Sequence, residues 1–164
     1  MKSIDLQMAS DHRGMELKDK ISDWLIPIDD DDPTRFGITL FQDTGVYNNK
    51  KKADYPDVVQ AVVKDFATWD KVKLGWKVYN MAIIICGSGF GVSIAANRFQ
   101  YIRAVVCRTP KDAEIARKHN DANVLCLGAD FTSFAQSKKI IEAFLTTKFE
   151  GGKHLTRVKK LGKL

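Results

Sequence analysis

The chain reads as an α/β protein built on a doubly wound, five-stranded parallel sheet. Two observations predict this. Short apolar runs rich in β-branched residues alternate with amphipathic stretches long enough to be crossover helices. The most apolar run, Met81-Ala82-Ile83-Ile84-Ile85-Cys86, ends in Gly87-Ser88-Gly89-Phe90-Gly91 and passes into a further helical segment, the pattern of a strand–loop–helix unit. The commonest order for five such strands is 2-1-3-4-5, with right-handed crossovers.

Residues 3–9 read as the first strand. Residues 14–25 read as an amphipathic helix with Met15, Leu17, Ile21, Trp24 and Leu25 on one face, ended by Pro27. The acidic run at 29–33 lacks the spaced ligands and closing Glu of a calcium loop and reads as solvated charge. Residues 38–42 are a short second strand, followed by a polar loop. A second helix opens at Asp54-Tyr55-Pro56-Asp57, with proline in its first turn, and runs to about residue 68. Residues 70–80 read as an exposed excursion before the third strand, 81–86. Residues 92–98 begin a helix, and 103–107 are a fourth strand. Pro110 opens a helix over 110–118. A fifth strand spans 123–128, a helix 134–147, and the tail over 149–164 is helical.

The chain has 164 residues, 45% of them hydrophobic and 28% charged, which suits a single domain with a core that needs no metal or disulfide. There is no apolar stretch long enough to span a membrane, and residues 1–5 carry no apolar signal segment, so a cytoplasmic location is expected. Three cysteines without metal-ligand spacing read as free thiols in a reducing compartment. The net charge of +6 sits partly in the tail, in Lys153, Arg157, Lys159, Lys160 and Lys163. No nucleic-acid module accompanies it; a phosphorylated small molecule accounts for a few well-placed cations equally well.

In the expected order, the first and third strands are neighbours and the winding reverses between them. Ligands bind at such a point, beyond the carboxyl ends of the strands. Two loops meet there: Ser10-Asp11-His12 and Cys86-Gly87-Ser88-Gly89. The glycines do not fit the dinucleotide fingerprint, because Val92 and Ile94 stand where its last glycine would fall, and no Gly-Lys-Ser/Thr follows for a phosphate loop. Cys86 precedes a helix start, a position that favours the thiolate, whereas Cys107 and Cys126 read as core. His119 ends the helix that returns from the fourth strand, about 15 Å from that helix's start. It either caps that helix or serves a neighbouring subunit's site.

Several of these segments resemble the type B ribose-5-phosphate isomerases, a family that also holds galactose- and allose-6-phosphate isomerases. The resemblance is carried by Ser10-Asp11-His12-Arg13-Gly14 with Glu16-Leu17-Lys18, by Asp54-Tyr55-Pro56, by Ile85-Cys86-Gly87-Ser88-Gly89-Phe90-Gly91 with Ile94-Ala95-Ala96-Asn97, and by residues 119–125. It implies a Rossmann-like three-layer αβα fold, a homodimer or tetramer with the site between subunits, and metal-independent aldose–ketose isomerisation without a cofactor. It implies Cys86 as the base, since Val92 stands where some members carry a Glu base. Ser88 and the backbone of Gly87, Gly89, Phe90 and Gly91 would form an anion hole. His119 would open the sugar ring and Asn120 would hold substrate, both from the partner; Asp11 and His12 would contact sugar and phosphate. Lys153 and Arg157 match two phosphate-binding arginines. Lys153 departs from that pattern, as does Asp130, where many members carry Arg.

The expected reaction is ribose 5-phosphate to ribulose 5-phosphate through an enediolate, with neither nucleic acid nor membrane as partner. A tetrose or hexose phosphate isomerase, a non-catalytic sugar-phosphate-binding protein, and a nucleotide- or flavin-binding module are the alternatives. A Cys86–His119 hydrolase fits less well, because its dyad would be split between subunits.

Overall fold

The computed structural model describes residues 3–26, 35–48, 52–69 and 78–163. The acidic run at 29–33 and residues 70–77 of the expected excursion lie outside them. The elements are β1 (Ser3–Ser10), α1 (Met15–Leu25), β2 (Ile38–Asp43), α2 (Tyr55–Trp69), β3 (Val78–Cys86), α3 (Phe90–Ala96), β4 (Ala104–Val106), α4 (Pro110–Asn120), β5 (Val124–Gly128), α5 (Phe134–Thr146) and α6 (Gly152–Leu161). All described strand pairs are parallel. The Asp54-Tyr55-Pro56 start, the proline-led helix and the helical tail stand as read; residues 78–80 belong to β3 instead of to an excursion.

The strand order is β2-β1-β3-β5-β4, so the last two strands are exchanged relative to the expected 2-1-3-4-5. The physical reason lies in their composition. Val124-Leu125-Cys126-Leu127-Gly128 is buried throughout and needs a neighbour on each side. Ala104-Val105-Val106 is three residues long and only partly buried, which suits an edge. The reversal between β1 and β3 is unaffected.

Side chains of β3 alternate between the two faces of the sheet. Met81, Ile83 and Ile85 join the layer under α1, α4 and α5. Ala82, Ile84 and Cys86 join the layer under α2 and α3, with Ala9, Val59, Val62, Val92 and Cys126. Ile83, Ile84 and Ile85 are fully buried. Burying one such side chain contributes about 1.5–3 kcal/mol, so this strand is the spine of both cores.

A charged residue is also buried. Lys18 of α1 is fully covered; its Nζ pairs with Asp43 at the end of β2 and with Asp19 at 3.1 Å, and lies 4.8 Å from the centre of the Tyr47 ring. Burial disfavours its charge, but the hydrogen bonds and charges of Asp43 and Asp19 outweigh this and hold its pKa above the ordinary lysine value. Lys18→Met, by stranding Asp43, is expected to cost roughly 3 kcal/mol, and Lys18→Met with Asp43→Leu to recover most of that. Urea unfolding of the three proteins checks both outcomes.

Candidate active site

At the carboxyl end of the sheet, Cys86 pairs in register with Gly128 of β5. The glycine loop then folds across the end of β5. A methyl group at Gly128 would lie 2.6 Å from the Ser88 carbonyl carbon and oxygen, so only glycine lets the two backbones approach this closely. Gly89 takes φ of 82°, the left-handed turn that starts α3. In that conformation its N–H donates to Cys86 Sγ at 3.1 Å. The Phe90 N–H donates to Ser88 Oγ at 3.3 Å. Two amides of the expected anion cradle are therefore turned onto side chains of the loop itself. Cys86 is only 5% exposed and packs with Ala9, Ile84, Val92 and Cys126 beneath the loop.

The β1–α1 loop packs alongside. The Asp11 N–H donates to Ile85 O at 3.1 Å, and Asp11 Oδ1 accepts from the N–H groups of Arg13 (2.9 Å) and Gly14 (3.1 Å). Asp11 thus organises the start of α1 with one oxygen, as its place before a helix suggests. His12 Nδ1 donates to Ala53 O at 3.3 Å, which leaves Nε2 as the ring nitrogen directed away from that contact. The Tyr55 ring covers Gly91. Arg13 lies over Gly87 and is paired with Asp130. Asp11, His12, Cys86, Gly87, Ser88, Gly89, Phe90 and Gly91 therefore form one group.

The other expected site residues form a second group elsewhere. His119 and Asn120 end α4, and Lys153 and Arg157 lie on α6. The His119 ring stacks on His154 with centroids 4.3 Å apart and planes 4° from parallel. Glu150 Oε2 stands 4.0 Å from His119 Nε2 and 3.8 Å from His154 Nε2. The Glu150 N–H donates to Lys118 O at 3.1 Å and ties α6 to the end of α4. This group lies beside the amino end of β5, while Cys86 pairs with its carboxyl end; four strand steps separate the two ends by about 13 Å. One chain therefore does not bring His119 to Cys86, as the position of His119 in the sequence foretold.

Two imidazoles and a carboxylate within 4.8 Å also form a possible ligand set for a metal ion. The rings are parallel, so the lone pairs of their nitrogens lie in parallel planes instead of converging on one point. The remaining cysteines are core residues. Burial pushes the Cys107 thiol up to about 12 and the Cys126 thiol higher still. A cavity of about 800 Å³ lies away from Cys86, lined by Asn97, Phe99, Arg103, Asn120 and Leu161. Among the described residues no helix is long and apolar enough to cross a membrane.

The profile of the ribose/galactose isomerase family matches residues 6–161. The chain belongs to this family. The Escherichia coli ribose-5-phosphate isomerase B is 36% identical over 156 residues, covering 95% of this chain and 93% of that protein. A candidate sugar phosphate isomerase of Rickettsia conorii is 40% identical over 161 residues, covering 98% and 99%. The crystal structure of ribose 5-phosphate isomerase from Thermotoga maritima superposes with a TM-score of 0.81 at 34% identity, covering 98% of each chain. The Mycoplasma genitalium ribose-5-phosphate isomerase B, solved with bound ribulose-5-phosphate, gives 0.81 at 33% identity, covering 99% and 97%. This member of the ribose/galactose isomerase family is an aldose–ketose isomerase, and its αβα fold is that of its relatives.

Four residues beside the expected site were not assigned a role from the sequence. Arg13 and Tyr55 sit inside motifs that pointed to the family. Glu150 and His154 are four apart, a spacing that places them on one side of a helical turn. Burial, then the charges of His119, Lys153 and Arg157, hold the His154 pKa below its ordinary value, against the opposing pull of Glu150. A histidine depressed in the folded state stabilises the protein above its unfolded pKa, about 6.5. That stability is lost as pH falls through the folded value. Lowering pH from 7.5 to 5 is thus expected to reduce the melting temperature, and less so in His154→Gln; thermal unfolding against pH checks this.

Proposed function

We propose that the protein isomerises an aldose phosphate, ribose 5-phosphate to ribulose 5-phosphate, in a site shared between two subunits. The observation that carries this reading is the sulfur of Cys86 at the tip of the central strand, 3.1 Å from the Gly89 nitrogen, with the Asp11 N–H bonded to the preceding Ile85 O. The names of the relatives and the ribulose-5-phosphate held by the M. genitalium protein support the substrate.

In the reaction the open-chain sugar lies with C1 and C2 over the glycine loop. Cys86 thiolate takes the C2 proton, leaving an enediolate, and the thiol returns that proton to C1. The hydroxyl proton lost from O2 reappears on O1. The Gly89 N–H steadies the charge on sulfur while it is a thiolate. Ser88 and the loop amides not already turned inward receive the enediolate oxygen; such a preorganised donor contributes about 3–4 kcal/mol. The general base adds roughly 10²–10⁴-fold. His12 contacts the sugar, with Nε2 free to do so.

His119 opens the furanose ring, and Asn120 positions it, from the partner subunit. Lys153 and Arg157 travel with them on α6 and hold the phosphate from the same side. Both halves are needed, and the distance between them in one chain calls for a homodimer at least. Lysine gives the phosphate a point charge where arginine would give a fork. The three buried free thiols suit a reducing, cytoplasmic setting.

Cys86→Ala is expected to abolish turnover in a coupled assay over pentose, tetrose and hexose phosphates, with little change in melting temperature. Near-normal rates in that variant would remove Cys86 from the mechanism. Cys86→Ala and His119→Ala, each inactive alone, are expected to regain about a quarter of wild-type activity when refolded together, because half of the resulting dimers carry one intact site. No recovery on mixing would place the two residues in one subunit's site.

A further inference from the structure

One ion pair beside Cys86 is not explained by folding. Arg13 Nη2 pairs with Asp130 Oδ2, and the two side chains are 57% and 40% exposed. Pairs this exposed contribute about 0–1 kcal/mol to stability. Yet the surroundings fix this one firmly. Arg13 sits in the β1–α1 loop, whose shape is set by the Asp11 carboxylate. Asp130 is held by its N–H donating to Gly87 O at 3.0 Å, and the preceding Ala129 N–H donates to Cys86 O at 2.9 Å. Both partners are thus tied to the peptide groups that carry the sulfur.

Gly87 adds an independent observation. The three atoms nearest to a methyl group placed there are all from Arg13: Cζ at 2.6 Å, Nη1 at 2.7 Å and Nε at 2.8 Å. Its backbone is not in the left-handed region, unlike that of Gly89. What glycine provides at position 87 is therefore room for a guanidinium to lie on the loop. Asp130 is the side-chain partner of Arg13 among the described residues, and it engages Nη2. Nε and Nη1 remain as donors beside the loop. A second cation stands on the same rim: the Arg108 guanidinium lies 5.3 Å from the Phe90 ring and 5.2 Å from the Phe131 ring.

We propose that Arg13, held on Gly87 by Asp130, is a specificity-determining residue that binds the substrate's phosphate on the Cys86 side of the site. This rests on the isomerase reading for the identity of the substrate but not for the binding of the anion. Asp130 orients the fork, and its negative charge also competes with the phosphate for it. The phosphate is then gripped from two subunits, by Arg13 on one side and by Lys153 and Arg157 on the other. A sugar without a phosphate would leave Arg13 bound to Asp130 and gain nothing from it.

The two members of the pair are expected to respond with opposite sign. Binding of inorganic phosphate to the full chain, measured by calorimetry and by competitive inhibition of turnover, is expected to weaken about 10–100-fold in Arg13→Gln. Asp130→Asn, which frees the guanidinium, is expected to bind phosphate as tightly as wild type or more tightly. Arg13→Lys keeps the charge without the fork and should fall between. In turnover, Arg13→Gln should raise KM for the aldose phosphate with a smaller change in kcat. Equal weakening by Arg13→Gln and Asp130→Asn would mark the pair as a structural tie and overturn the proposal, as would an unchanged phosphate affinity in Arg13→Gln. Should Arg13→Gln fail to fold, Arg13→Lys and Asp130→Asn carry the same comparison of signs. Phosphate binding needs no turnover, so the two readings fail separately. A wild type that turns over no aldose phosphate but shows the opposed responses sinks the isomerase reading alone. Loss of activity in Cys86→Ala with an indifferent Arg13→Gln sinks only this one.

Discussion

Everything at the carboxyl end of this sheet depends on the close approach of two backbones, the glycine loop and the end of β5. Gly128 has no side chain to hold Ser88 away, so the loop can lie across the strand. That contact turns the Gly89 amide toward the Cys86 sulfur. It also brings the Asp130 N–H onto Gly87 O, which places a carboxylate beside the same loop. Sulfur, amide and ion pair are therefore set by one steric fact, and β3, buried along Met81–Cys86, gives that fact a rigid base.

The second constraint is topological. A helix returning from a parallel strand ends where the next strand begins, so the last residues of α4 lie far from the first residues of α3. His119 thus stands near the amino end of β5, and Cys86 beside its carboxyl end. The α6 helix follows α4, held by the Glu150 amide and the stacked His119 and His154 rings. The positively charged tail thus belongs with His119, and the chain carries its two groups of candidate residues at opposite ends of β5.

Much of this was legible in the sequence because the signals were local. Pro56 and Pro110 marked helix starts, the Ile83–Ile85 run marked the central strand, and the alternate glycines marked the loop after it. The exchange of β4 and β5 was not legible by that route. Strand order is a contest between whole strands for central places, and it is decided by how completely each is buried; Val124–Gly128 outcompetes Ala104–Val106. The site divided in the same way. Cys86, Asp11 and His12 could be placed together from connectivity. Arg13 could not, because what matters about it is a contact with Gly87 and a partner 117 residues away. The stacking of His154 on His119 likewise needs the packing of α6 on α4, which no periodicity in either helix reveals.

The cover over Cys86 has a consequence for its reactivity. A residue only 5% exposed, whose sulfur already accepts the Gly89 N–H, meets an outside reagent only where the glycine loop leaves room. Small thiol reagents therefore reach it ahead of bulky ones, and the loop, more than the thiol itself, sets which molecules arrive.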